Sequence, residues 1–180
     1  MLQGLRKSER PTSKQGGLWL APLVSVDLER EPKKTVFRRI LIVCRGNICR
    51  SPTAQYLFQR RTNMSGLEVN SAGLNAVVGS PMDATAMQLL SEKDGVDGST
   101  HRAHQLVPSM LLGADLVICM EKNHIDEMTE FAPEARGKIH LLGKWTDGRD
   151  IPDPYRRRRP VFERTHEMIV RGVESWMRYL

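Results

Sequence analysis

The chain has 180 residues and a formal net charge of +6, with 40% hydrophobic and 27% charged residues. This length is sufficient for one domain with a buried core, and the composition excludes a protein that is disordered throughout. The 3 cysteines do not form the framework of a disulfide-rich secreted domain, so we expect a reducing, cytoplasmic setting. The positive charge does not predict a nucleic-acid partner, because no basic stripe is interleaved with aromatic residues, and it is equally compatible with an anionic substrate.

Residues 1–36 differ in character from the rest of the chain. Basic residues precede the short apolar segment Gly17-Leu-Trp-Leu-Ala-Pro-Leu-Val-Ser-Val26, which faintly resembles a signal peptide. Pro22 interrupts that segment, however, and no cleavage motif of small residues is present. We therefore expect a flexible leader over 1–36 and one folded domain over 37–180. Nothing elsewhere approaches the ~18 apolar residues of a membrane span, so no stable membrane insertion is predicted.

After the leader, short apolar runs alternate with longer helical patterns. The continuously apolar run over 39–43 predicts a strand that is buried on both faces. Ser51 and Pro52 predict a helix start, with Ser51 as the N-cap, and the helix continues to about Arg61. The remaining predicted elements are a strand over 67–71, a helix over 83–93, a strand over 115–120, a helix from Glu121, a strand over 138–142 and a helix over 160–179.

The alternation of strands and helices predicts an α/β fold: a three-layer α/β/α sandwich with a central four-stranded parallel sheet, similar to a Rossmann fold. Such sheets bind ligands at the carboxyl ends of their strands, near the N-termini of the following helices. The segment Cys44-Arg-Gly-Asn-Ile-Cys-Arg50 lies between the first strand and the first helix, which is that position.

This segment has the residues of a phosphate-binding loop. Gly46 and Asn47 tolerate a positive φ, so the backbone can curl and direct successive N–H groups at one anion above a helix N-terminus. Arg50 adds a bidentate clamp. This environment predicts that Cys44 is present as the nucleophilic thiolate, with Ser51 as a hydrogen-bond donor to it. The residues expected to surround the phosphate are Arg45, Gly46, Asn47, Ile48 and Cys49.

The run Val43-Cys-Arg-Gly-Asn-Ile-Cys-Arg-Ser-Pro-Thr53 resembles the active-site loop of the low-molecular-weight protein tyrosine phosphatases. Four further segments agree with this family in order: Ser71-Ala-Gly73, His101-Arg-Ala103, Cys119-Met-Glu-Lys122 and Asp153-Pro-Tyr155. The resemblance covers about residues 37–180. It implies an enzyme that hydrolyses phosphotyrosine through a cysteinyl-phosphate intermediate, with no cofactor and no metal.

The resemblance also implies a role for individual residues. Cys44 would be the nucleophile, Arg50 the phosphate-binding arginine and Asp153 the general acid. Tyr155 would line the substrate slot. The residues implied to hold the loop in shape through hydrogen bonds are Asn47, Ser51, Ser71 and His101.

Other segments narrow the resemblance to one branch. Glu121-Lys-Asn-His124 and Ile151-Pro-Asp-Pro-Tyr155 look like the bacterial branch associated with capsule or exopolysaccharide export. That branch implies a tyrosine autokinase as the phosphotyrosine partner. We also expect the protein to be a monomer or weak dimer. Arg45 departs from the family, which usually has an apolar residue there; it favours acidic residues beside the phosphotyrosine or points into water. The arginines at 156–159 steer a phosphorylated tail or form a solvated surface.

The three cysteines leave further interpretations open. Cys49 is expected to form a reversible disulfide with an oxidised Cys44 and so protect it, and Cys119 is expected to be structural. Arsenate reduction uses a related fold and the same loop, but it needs further cysteines to relay a disulfide outward. A zinc-binding module would use Cys44, Cys49, His101 and His104, although the arginines of the loop would repel the cation.

Overall fold

The computed structural model describes residues 37–62 and 65–180, so the predicted leader over 1–36 lies outside the described residues. Two 3₁₀ helices, Pro133–Lys138 and Leu142–Trp145, flank the last strand. The strands and α-helices are β1 (Arg39–Cys44), α1 (Arg50–Arg61), β2 (Glu68–Gly73), α2 (Ala84–Asp94), α3 (Pro108–Gly113), β3 (Leu116–Cys119), α4 (Lys122–Phe131), β4 (Ile139–Leu141) and α5 (Arg159–Trp176).

The four strands form one parallel sheet in the order β2-β1-β3-β4. β1 is central because it pairs with both β2 and β3, which explains why its residues from Ile40 to Cys44 are all buried. In this register Cys44 lies opposite Gly73, and Val43 lies opposite Cys119. The carboxyl ends of the strands therefore meet at one edge, and the predicted α/β fold is confirmed.

Successive residues of β1 point to opposite faces of the sheet and divide the core in two. Ile40 and Ile42 belong to a cluster with side chains of α1, α2 and α5, whereas Leu41 and Val43 belong to a cluster with side chains of α3 and α4. Each fully buried aliphatic side chain contributes about 1.5–3 kcal/mol to stability, so both helix layers are held to the sheet by apolar burial.

The start of α1 corrects one prediction. The helix begins at Arg50 with Cys49 as its N-cap, and no side chain caps it. The prediction that Ser51 is the N-cap is therefore wrong, because the Ser51 hydroxyl instead contacts the Cys44 sulfur and the Asn47 amide. The predicted start of α2 agrees better: the Asp83 carboxylate accepts hydrogen bonds from two N–H groups of the first turn.

Several boundaries also differ from the predictions. β2 continues to Gly73 rather than ending at Ser71, and α5 begins at Arg159 and ends at Trp176. α3 and the two 3₁₀ helices were not predicted from the sequence, because each is only 4–6 residues long. Among the described helices, none combines the length and the apolar character that crossing a membrane requires.

Candidate active site

The Cys44 thiol lies at the end of β1, beneath the loop that leads into α1. Its sulfur is 3.0 Å from Ser51 Oγ and accepts a hydrogen bond from the backbone N–H of Asn47, with 3.3 Å between nitrogen and sulfur. Cys44 is 2% exposed. The sulfur is thus fixed at the base of the loop with a backbone N–H directed at it, and cysteine acts as a nucleophile in its thiolate form.

Asn47 holds the loop in its curled shape. Its φ of 54° places it in the left-handed region, and its side chain is fully buried. The Asn47 amide donates to Ser51 Oγ and to Ser71 Oγ, each at 2.9 Å, and accepts from the His104 N–H at 2.8 Å. His101 Nε2 donates to the Asn47 carbonyl at 2.7 Å. These bonds overdetermine one conformation that a non-glycine residue rarely adopts.

Two residues that the sequence did not single out complete this support. Gln55 on α1 accepts a hydrogen bond from Ser71 Oγ at 2.6 Å. Gly73 lies directly under the loop, because a Cβ at this position would be 2.7 Å from the Arg45 carbonyl and 3.0 Å from both Asn47 N and Asn47 Cβ. The family-like Ser71-Ala-Gly73 segment was the sequence signal for Gly73, whereas Gln55 had no signal.

Arg50 is a buried cation, 1% exposed, with three acceptors around its guanidinium. Nη2 donates to Asp153 Oδ2 at 2.5 Å, and Nη1 donates to the Ile151 carbonyl at 2.8 Å and to the Glu121 carboxylate. Burial alone lowers the pKa of Arg50, but the negative charges of Cys44, Asp153 and Glu121 outweigh it, so the pKa is raised. The buried charge is compensated by this acidic environment.

A cavity of about 210 Å³ opens above the loop. Asp153 is about two-fifths exposed at its mouth, and the Tyr155 N–H donates to Asp153 Oδ1 at 3.1 Å. Of the predicted site residues, Asn47, Ser51, Ser71 and His101 are not part of the cavity wall; Asn47 belongs to the loop, and the other three form hydrogen bonds with it. The wall is formed by Cys44, Arg45, Gly46, Ile48, Cys49, Arg50, Asn75, Val77, Asp153 and Tyr155.

The Arg45 side chain forms a bidentate ion pair with Glu127 of α4. Nη1 donates to Oε2 at 2.8 Å and Nη2 donates to Oε1 at 2.5 Å. The hydrogen bonds from Arg45 lower the pKa of Glu127, so this carboxylate is charged. Neither Glu121 nor Glu127 was predicted as a site residue, although Glu121 lies within the quoted segment Cys119-Met-Glu-Lys122.

All three cysteines are buried and free. Desolvation raises the pKa of Cys49 and also that of Cys119, the latter to about 12, so both are neutral thiols at physiological pH. Cys119 lies within β3 and offers no exposed thiol for the disulfide relay of arsenate reduction. Among the residues that the structure describes, no cluster of His, Cys, Asp and Glu has the arrangement of a metal site. His101 Nε2 donates to a carbonyl instead, and the His104 side chain is exposed.

This geometry agrees with comparisons to known proteins. The family described as low molecular weight phosphotyrosine protein phosphatase matches residues 39–180. The chain belongs to that family. It is 42% identical over 146 residues to the low molecular weight protein-tyrosine-phosphatase Wzb of Escherichia coli (strain K12), covering 81% of this chain and 97% of Wzb. It is 40% identical over 144 residues to Etp of the same organism, covering 80% of this chain and 95% of Etp.

A solved structure extends the likeness to the fold. Wzb of Vibrio vulnificus in complex with benzylphosphonate matches with a TM-score of 0.75 and 38% identity, covering 81% of this chain and 100% of that protein. The protein is accordingly a cysteine-dependent protein-tyrosine-phosphatase of the low-molecular-weight class.

His124 is a buried side chain of this phosphatase that lies beside the charged groups. Its Nε2 is 3.4 Å from Glu121 Oε1, and neither ring nitrogen has a hydrogen-bond partner among residues 37–62 and 65–180. Burial lowers the pKa of His124 to about 4, outweighing the attraction of Glu121, and the cations Arg50 and Arg45 act in the same direction. The imidazole is therefore neutral at physiological pH.

The His124 shift predicts how stability depends on pH. An unfolded histidine binds a proton below about pH 6.5, whereas folded His124 binds one only near pH 4, so the free energy of unfolding falls as the pH is lowered through this window. The free energy of unfolding of the parent decreases between pH 7 and pH 4, and we expect this decrease to be smaller by roughly 1–3 kcal/mol in His124→Leu. Urea denaturation at several pH values measures it. His104→Gln is the control for losing an imidazole. Identical pH profiles for the parent and His124→Leu would contradict this assignment.

The close approach of Gly73 predicts that Gly73→Ala disturbs the loop. The added methyl group collides with backbone atoms of Arg45 and Asn47, so we expect a loss of about 1–3 kcal/mol in unfolding free energy and a decrease of at least about tenfold in kcat/KM for aryl phosphate. Gly137→Ala is the matched control, because a Cβ at Gly137 meets no atom within 4 Å. Wild-type kinetics in Gly73→Ala would show that the loop does not depend on this contact.

Proposed function

We propose that this phosphatase hydrolyses phosphotyrosine with Cys44 as nucleophile, Arg50 as phosphate ligand and Asp153 as proton donor, and that its substrate is a bacterial tyrosine autokinase of exopolysaccharide export. One observation carries the assignment of these catalytic roles: Cys44, Arg50 and Asp153 line a single cavity, in which Arg50 Nη2 is 2.5 Å from Asp153 Oδ2. Similarity to Wzb and Etp supports the choice of substrate. The reaction takes place in the cytoplasm, where the cysteines stay reduced.

In the first step the Cys44 thiolate attacks phosphorus. The S–P bond forms as the bond from phosphorus to the tyrosyl oxygen breaks, and Asp153 delivers its proton to the departing phenolate oxygen. The phosphate takes the place of Asp153 against the Arg50 guanidinium, while the contacts of Arg50 with Glu121 and the Ile151 carbonyl keep it in position. Arg50 and the loop N–H groups neutralise the equatorial oxygens.

In the second step water hydrolyses the cysteinyl-phosphate. The Asp153 carboxylate accepts a proton from the water as its oxygen bonds to phosphorus, and the S–P bond breaks to return the thiolate. Ser51 Oγ, 3.0 Å from the sulfur, and the Asn47 N–H stabilise the charge on the departing sulfur. The two steps together consume one water and release inorganic phosphate and tyrosine, and Asp153 ends in its starting protonation state.

The cavity supports an aromatic leaving group. Tyr155, Val77 and Ile48 give it apolar walls, and Tyr155 and Val77 are each more than two-fifths exposed, so their surfaces are available to a ring. The related Wzb of Vibrio vulnificus has been solved with benzylphosphonate, a phosphonate that carries an aromatic ring. A phosphotyrosine side chain has the same combination of ring and anion.

Cys49 is suited to protect the nucleophile. The Cys49 side chain lines the same cavity as Cys44. Because the Cys49 thiol is neutral, it does not compete with the Cys44 thiolate as a nucleophile for the phosphate. When Cys44 is oxidised to a sulfenic acid, the Cys49 thiol condenses with it, forming a disulfide and releasing water, and a cellular thiol reduces that disulfide.

The proton-donor role predicts a dependence on the leaving group. Asp153→Asn keeps an oxygen that can accept from Arg50 but cannot donate the proton, so we expect kcat/KM for phosphotyrosine, which reports the first step without the hydrolysis of the cysteinyl-phosphate, to fall by about 100-fold or more. The decrease is smaller for p-nitrophenyl phosphate, whose phenolate needs less protonation. Vanadate affinity stays measurable in Asp153→Asn, whereas Cys44→Ser abolishes turnover on both substrates. An equal decrease on both substrates would remove Asp153 from the role of acid.

The substrate proposal predicts a specific trapped protein. We expect immobilised Asp153→Ala to retain a phosphotyrosine-containing tyrosine autokinase from an extract of the source organism, because binding persists while turnover is slowed. Vanadate elutes a protein bound at the active site, and Arg50→Ala, which lacks the phosphate ligand, is the matched control that retains nothing. Recovery of a phosphotyrosine protein unrelated to a kinase would overturn the substrate proposal while leaving the phosphatase activity intact.

A further inference from the structure

Arg45 presents unused hydrogen-bond donors at the wall of the cavity. A guanidinium has five N–H donors, and Glu127 occupies two of those of Arg45. In the described part of the chain, no further acceptor contacts the Arg45 side chain, which is 37% exposed. Its backbone is fixed because the Arg45 carbonyl accepts from the Asn75 N–H at 2.9 Å. A charged group with free donors is thus held beside the place where the phosphate binds.

Glu127 limits how strongly Arg45 attracts an anion. Both side chains are between one-third and two-fifths exposed, and together they carry no net charge. An anion that approaches the pair is attracted by the guanidinium and repelled by the carboxylate. Ion pairs at this exposure are worth about 0.2–1 kcal/mol, so Glu127 weakens the attraction of Arg45 without abolishing it.

We propose that Arg45 selects phosphotyrosine segments with an acidic side chain next to the phosphotyrosine, and that Glu127 sets the strength of this selection. The inference rests on the proposed function of the same cavity. A carboxylate adjacent to a phosphotyrosine seated over Cys44 reaches the cavity wall, where it meets the remaining N–H donors of Arg45. Glu127 remains bidentate on the opposite side of the guanidinium and keeps its plane oriented.

The arginines after Tyr155 are the competing source of such selectivity. Arg159 is paired with Glu92 and Glu163, so its charge is compensated. Arg156 has a φ of 61° and places its guanidinium 5.2 Å from the centre of the Tyr155 ring, and Arg157 is exposed. These side chains follow the acid loop rather than the cysteine loop. Removing Arg45 alone therefore separates the two sources.

The test compares two phosphotyrosine peptides that differ only in having Glu or Gln on both sides of the phosphotyrosine. The measured quantity is the ratio of kcat/KM for the Glu peptide to that for the Gln peptide, taken within each variant so that changes in overall activity cancel. We expect a ratio of about 2–5 for the parent, decreasing towards one at high salt. Arg45→Met lowers the ratio to one or below, because Glu127 is left to repel the peptide.

Glu127→Gln gives the opposite result, since it removes the opposing charge and keeps an oxygen that accepts from Arg45: the ratio rises above that of the parent. The double variant returns the ratio to about one. Arg136→Gln is the charge-matched control with an unchanged ratio, because Arg136 is exposed in the 3₁₀ helix before β4, at the amino edge of the sheet.

Two outcomes overturn the inference. A preference for the Glu peptide that survives in Arg45→Met assigns the selectivity to the arginine run, and a ratio in Glu127→Gln at or below that of the parent removes the role of Glu127. Hydrolysis of the Gln peptide by the parent reports the phosphatase activity separately. A parent that hydrolyses the Gln peptide with a ratio of one refutes this inference alone, whereas hydrolysis of neither peptide refutes the proposed function and this inference with it.

Discussion

The left-handed conformation of Asn47 is the constraint on which the site depends. At a φ of 54° this residue turns the chain back so that its N–H faces the Cys44 sulfur. A non-glycine residue pays about 1–2 kcal/mol for this conformation, and hydrogen bonds to Ser51, Ser71, His101 and His104 offset that cost. The loop is therefore held in one shape by the protein's own hydrogen bonds, and its donors would need no reorganisation to meet an anion.

The order of the strands brings the other residues of the site to this loop. Because the carboxyl ends of β1, β2 and β3 meet at one edge, the loop is supported from one side by Gly73 and approached from the other by the segment after β3. The Ile151 N–H donates to the Met120 carbonyl at 2.8 Å, which ties the segment carrying Asp153 to the end of β3. Cys44 and Asp153 are far apart in sequence, but Cys44 ends β1 and the segment of Asp153 is tied to the end of the neighbouring strand β3.

Sequence patterns predicted those parts of the molecule that depend on local interactions. The buried strand β1 followed from its continuous apolar run, and the start of α2 followed from Asp83. The assignment of Ser51 as an N-cap failed because the helix begins one residue earlier, at Arg50, and the Ser51 hydroxyl contacts the Cys44 sulfur and the Asn47 amide instead of the backbone of its own helix. Glu127 was missed for a related reason: its pairing with Arg45 joins positions 82 residues apart, and no local pattern reports such a contact.

Glu121 and Glu127, which the sequence did not predict as site residues, both form ion pairs with arginines of the loop. His124 and Glu127 are three residues apart on α4 and share one side of it, and Glu121 directly precedes the helix as its N-cap. The two carboxylates pair with Arg50 and Arg45, and the imidazole between them stays neutral because burial disfavours its charge. A charged imidazole there would compete with both arginines for the same carboxylates. Neutrality of His124 thus leaves Glu121 to pair with Arg50 and Glu127 to pair with Arg45, so both cations are held in position at the cavity wall.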